Sequence, residues 1–121
     1  MRKTIPMFSF VLAMGLCAWP HGAHAEDARA KRAYRAKCAS CHGEDGKGQT
    51  KQALEKFGGL RDLTSPEVQK EFDDAKLKEM ITKGSTRMKD GKELKMPATP
   101  EITGDQLDGL VRYVRGLAAG K

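Results

Sequence analysis

KCASCHGEDG, residues Lys37–Gly46, places Cys38 and Cys41 three positions apart and His42 directly after the second cysteine. Such a trio has three chemically reasonable uses: a disulfide, a structural metal site, or attachment of a larger group. Which applies depends on how many other thiols and imidazoles the chain can supply.

The amino terminus decides that count. Arg2 and Lys3 give a positive start, Met7 to Trp19 form an apolar run, and Ala23-His24-Ala25 follows. Small residues at −3 and −1 of a cut complete the layout of a secretory signal peptide, so residues 1–25 are expected to be cleaved after Ala25 and the protein to be periplasmic. An uncleaved anchor is disfavoured because the run is shorter than the ~20 residues needed to span a bilayer. Lipid attachment at Cys17 is disfavoured by Leu16, where lipoprotein signals carry a small residue.

Cleavage would remove Cys17, His21 and His24, leaving Cys38 and Cys41 as the only thiols and His42 as the only imidazole. The remaining methionines are Met80, Met88 and Met96. The leader holds two basic residues and no acid, so the formal charge falls from +6 to +4 (6 − 2). The mature chain of 121 − 25 = 96 residues suits a single domain, residues 26–121, since domains cluster near ~100 residues. A chain of that size buries only about 60–65% of its unfolded surface. With 31% of the residues charged, a bare core would be marginal, which calls for a staple or a cofactor.

The readable periodicity is helical. Over 27–40, Ala30, Ala33, Tyr34 and Cys38, continuing to Cys41, fall on one face at spacings of three and four. Gly43, Gly46 and Gly48 end that helix, and 43–63 reads as loop with a turn around Gln52–Phe57. Thr64-Ser65-Pro66-Glu67 reads as a capping box with Thr64 as cap. A further helix is expected from Asp74 to Lys83, with Leu77, Met80 and Ile81 inward and Gly84 ending it in a left-handed conformation. No alternating strand pattern is read, and 85–102, with glycine, two prolines and many lysines, reads as loop. Thr103-Gly104-Asp105-Gln106 opens the clearest helix, where Leu107, Leu110, Val111, Val114 and Leu117 recur at helical spacing and Gly116 and Gly120 weaken the end. The class is all-α, with about 4–5 helices.

A Cys38–Cys41 disulfide would close a tiny loop and constrain little of the unfolded chain. Dithiol exchange uses this spacing within a βαβ context, which is not read here. Zinc needs four ligands, and the mature chain offers three plus a carboxylate such as Glu44 or Asp45. C-x-x-C-H, by contrast, is the attachment signature of a c-type haem. Cys38 and Cys41 would form thioethers, and His42 would fall under the iron as proximal ligand. Export, the lack of a spare cysteine and a lone histidine inside the motif favour this reading.

The second axial position separates an electron carrier from an open-site protein. Met80 lies on the apolar face of a predicted helix and reads as core. Met88, in STRMKDG, is exposed or a second-choice ligand. Met96, in KMPA, is followed by Pro97 and Pro100, which stiffen the loop presenting it. Met96 is therefore the expected distal ligand.

CASCHGEDGKG, the G-x-x-x-M stretch leading to KMPA, and ITGDQLDGLVRYVRGLA together resemble a small class I cytochrome c over residues 30–118. The resemblance implies a fold of about 4–5 helices around one covalent haem c, with its iron. It also implies that the first and last helices cross, with Tyr34 near Leu110 and Tyr113. Two positions depart from the family pattern. Ala30 stands where a glycine is common, which implies a wider crossing, and no proline lies between His42 and Pro66 to supply a carbonyl for His42 Nδ1. The implied function is that of a soluble single-electron carrier, not an enzyme; the alternatives are an open-site gas binder or peroxidase-like protein, or the haem subunit of a larger oxidoreductase. A CxxCH near the amino end argues against the four-helix gas binders, which carry it near the carboxyl end. Lys83, Arg87, Lys89, Lys92 and Lys95 would steer redox partners with an acidic docking surface. Nucleic acid is not expected, nor a membrane span in the mature chain, and a monomer is.

Overall fold

The computed structural model describes residues 22–119, with side chains described from residue 28. The expected leader, 1–25 with its cut after Ala25, lies outside the residues whose side chains are described. The chain order is α1 (Gly22–Lys37), α2 (Ala39–His42), α3 (Lys51–Phe57), α4 (Pro66–Glu71), α5 (Asp74–Lys83), β1 (Ser85–Lys89), β2 (Lys92–Met96) and α6 (Gly104–Ala119). The architecture is helical, with one small antiparallel hairpin.

The fold is organised around the crossing of α1 and α6. Tyr34 and Leu110, 1% and 0% exposed, meet at its centre. The Tyr34 and Tyr113 rings stand 5.1 Å apart at 48°, a tilted pair of the kind that adds about 0.5–1.5 kcal/mol beyond area burial. Where a glycine at position 30 was the familiar arrangement, Ala30 instead faces a glycine of the other helix. A Cβ on Gly109 would stand 3.7 Å from that of Ala30. Ile81, Ile102, Val111 and Val114 complete the buried cluster, with Leu107 and Leu117 packed against it. The stripe read on the last helix is thus the core-facing stripe of α6.

Several local expectations are corrected. The helix read over 27–40 breaks at Cys38 (φ −118°, ψ −38°), and Cys41 and His42 belong to α2. The turn at Gln52–Phe57 is the helix α3, because Thr50 accepts the Ala53 N–H at 3.1 Å as its N-cap. Ser65, not Thr64, caps α4 by accepting from Val68 N at 3.3 Å. Thr64 is diverted: its hydroxyl donates to Asp62 Oδ1 at 2.6 Å. Asp73 caps α5 through Lys76 N at 2.7 Å. Each such cap contributes about 1 kcal/mol. That decides whether helices of six or seven residues form, since isolated helices under ~12–15 residues are marginal.

Residues 85–96, read as loop, form the hairpin. Ser85 faces Met96 and Lys89 faces Lys92. Asp90 and Gly91 between them both have positive φ, 52° and 74°, the requirement of a tight type I′ hairpin turn. Gly84 does have positive φ at 75°, but its ψ of −179° is extended rather than left-handed helical. It launches the chain straight into β1.

Candidate cofactor site

α1 and α2 deliver the cysteine–histidine motif to the wall of an apolar cleft. Cys38 N donates to Tyr34 O at 2.8 Å, and His42 N donates to Cys38 O at 2.9 Å. Tyr34 reaches past the motif and donates its hydroxyl to the Gly43 carbonyl at 2.7 Å. Thr50 closes the other side by donating to Ser40 O at 2.8 Å, with Cys41 O 3.3 Å away. A buried tyrosine and a threonine, neither charged, therefore fix the backbone on both sides of Cys41 and His42.

The cleft is open to solvent and walled almost entirely by apolar atoms. Tyr34, Cys38 and His42 line one side. Leu63, Val68 and Phe72 come from the α4 region, Leu77, Met80 and Ile81 from α5, and Leu110, Val111 and Val114 from α6. Met96 joins the lining from the end of β2. Met88 does not line it; at 64% exposed it sits on β1 opposite Glu93. Met80, read as core, is a second cleft-lining sulfur.

Two polar side chains interrupt the apolar wall, Gln69 and Arg115. Both are held by the protein. Arg115 donates to Gln69 O (2.7 Å), Gln69 Oε1 (2.9 Å), Phe72 O (2.6 Å) and Asp74 Oδ1 (3.0 Å). Gln69 donates to the Leu63 carbonyl. Arg115 thereby ties α6 to the junction of α4 and α5 and holds two walls of the cleft together.

The thiols of Cys38 and Cys41 are free. Burial and the neighbouring Cys41 push the Cys38 thiol up to about 11. Burial lowers the pKa of His42, which favours the neutral imidazole that ligates metals. Its Nδ1 is buried without a hydrogen-bond partner, so the carbonyl that a loop proline would have supplied is not replaced. Among the described residues no group of three or more His, Cys, Asp or Glu could hold a metal ion, which leaves the zinc reading without a ligand set. Two free thiols, an adjacent buried imidazole and a cleft with apolar walls fit a porphyrin bound through CxxCH.

The model of the Cytochrome c family matches residues 28–118. The chain belongs to the cytochrome c family. No curated protein matches it. Membership brings covalently bound haem c with its iron and a role in carrying electrons between redox partners. The fold agrees with a small class I cytochrome c. Among the described residues no helix is long and apolar enough to cross a membrane.

Three residues that position this site, Thr50, Arg115 and Gln69, were not singled out in the sequence. Thr50 carried a usable signal, a threonine just before the run Lys51–Phe57. Arg115 carried a weaker one, an arginine four residues after Val111 at the edge of an apolar stripe. Gln69 carried none, because its partners are remote or are backbone atoms.

Proposed function

We propose that this cytochrome c carries single electrons through one haem. Cys38 and Cys41 supply the thioethers, His42 the proximal imidazole and Met96 the distal sulfur. The observation that carries the assignment is that Met96 and His42 line one cleft while Met88 lies outside it; Met80 also lines the cleft but from within helix α5, whereas Met96 ends β2 just before Pro97. When bound, the haem supplies one-electron iron chemistry at a potential raised by methionine ligation.

The chain's own residues do the rest. Thr50 and Tyr34 hold the proximal segment, the aliphatic side chains of α5 and α6 exclude water, and Arg115 keeps the walls together. With a side chain on each face, the site favours transfer over substrate binding, so the protein is a carrier rather than an enzyme.

For docking, the hairpin offers Arg87, Lys89, Lys92 and Lys95 against Asp90 and Glu93. Lys95 pairs with Glu93 at 3.2 Å and Lys83 with Glu79 at 3.6 Å, which tempers the positive face without cancelling it. An acidic redox partner fits that excess, with association that weakens as salt screens it. The leader-like residues 1–25 support export to the periplasm, where the protein would act as a soluble monomer.

Holoprotein purified after export tests this reading. One covalent haem per chain and a ferrous form that resists carbon monoxide at neutral pH are expected. Rapid, complete carbon monoxide binding would favour an open site and overturn it.

A further inference from the structure

The segment bearing Met96 is fastened on its far side by Thr99. Thr99 donates twice to one acceptor, the carbonyl of Ile81: its N–H at 2.9 Å and its hydroxyl at 2.6 Å. Ile81 lies in the last turn of α5, where carbonyls lack an intrahelical N–H partner. It is 8% exposed and lines the cleft. On the near side Met96 pairs with Ser85. Only Pro97 and Ala98 separate Met96 from Thr99, and proline fixes its own φ. The run from 96 to 99 therefore has little slack between two anchored ends.

We infer that Thr99 is a positioning residue that holds the Met96 sulfur in the cleft through the Ile81 carbonyl. The inference rests on Met96 being the distal ligand. For the sulfur to leave, residues 96–99 must move away from α5, and the Thr99 contacts to Ile81 O break with that movement. The hydroxyl bond thus opposes release. A bond worth about 1 kcal/mol changes the release equilibrium about fivefold. The backbone N–H bond is present in any variant, so side-chain substitution isolates the hydroxyl.

The test is titration of the ferric holoproteins with imidazole, which must displace Met96 to bind. Thr99→Val should bind imidazole about fivefold more tightly while keeping the sulfur-to-iron charge-transfer band in its absence. Thr99→Ser, which keeps the hydroxyl, should restore the wild-type constant. An unchanged imidazole constant in Thr99→Val, even with a lowered unfolding midpoint, would make the role merely structural and overturn the inference. A Thr99→Ser variant that behaves like Thr99→Val would overturn it too. Absence of the band from the wild type would overturn the Met96 ligation itself, and this inference with it.

Discussion

A side chain at Gly84 would collide with the backbone of Met96: a Cβ there would stand 2.5 Å from the Met96 carbonyl oxygen and 3.0 Å from Ala98 N. The obstacle is main chain, so it cannot rotate away. The glycine also holds φ at 75°, which an L side chain resists. Gly84→Ala should therefore lower the unfolding free energy by about 3 kcal/mol and weaken the Met96-dependent spectral band. Denaturant titration and the ferric spectrum measure both. A loss under about 1 kcal/mol with an unmoved band would show that the Met96 segment does not depend on this close approach.

Tyr34 joins the helix crossing to the loop after His42 through its bond to Gly43 O. Tyr34→Phe keeps the ring packing but removes one of the two bonds to the Gly43 carbonyl, which keeps the Gly46 N–H at 3.1 Å, at a cost of about 1 kcal/mol. Burial raises the Tyr34 pKa above its ordinary value. A raised pKa means that the neutral hydroxyl stabilises the fold fully below about pH 10 and that this contribution fades as pH rises further. The stability gap between wild type and Tyr34→Phe should accordingly narrow above about pH 10. Denaturant curves at neutral and alkaline pH would show it. A gap that widens there would contradict the assignment.

Arg115 bonds two backbone carbonyls and two side chains of the α4–α5 junction. Arg115→Leu should destabilise the protein by about 2–3 kcal/mol, the range for charged hydrogen bonds to partly buried acceptors. Asp74→Asn should cost much less, because Asp74 is 65% exposed and exposed ion pairs contribute little. Equal losses in the two variants would assign the effect to the salt bridge rather than to the carbonyls.

How much of this was readable depended on how local each signal is. α5 and α6 were legible because ten and sixteen residues are long enough for a 3.6-residue period to repeat. The α3 helix spans two turns and buries only Ala53, so its evidence was the cap at Thr50 rather than a stripe. The hairpin escaped because its strands bury little: β1 is exposed through Thr86, Arg87 and Met88, and β2 offers only Leu94 and Met96 as half-buried alternating positions. Its one local mark was Asp90-Gly91, a dipeptide that favours tight hairpins. Cys38, Cys41 and His42 were legible as a CxxCH motif because its spacing is read along the chain. Met96 was separated from Met88 by its prolines; the cleft lining includes Met96 and Met80 and leaves Met88 out. Thr99 was not legible and Arg115 only weakly so, since they act on backbone atoms 18 and up to 46 residues away.

The distal ligand is tested most directly by the ferric absorption spectrum of four holoproteins: wild type, Met96→Ala, Met88→Ala and Met80→Leu. The sulfur-to-iron charge-transfer band is expected in wild type, Met88→Ala and Met80→Leu, and should vanish in Met96→Ala together with a fall in reduction potential and a shift to high-spin iron. A band that survives in Met96→Ala, or that disappears with Met80 or Met88 instead, would contradict the proposal that Met96 supplies the distal sulfur.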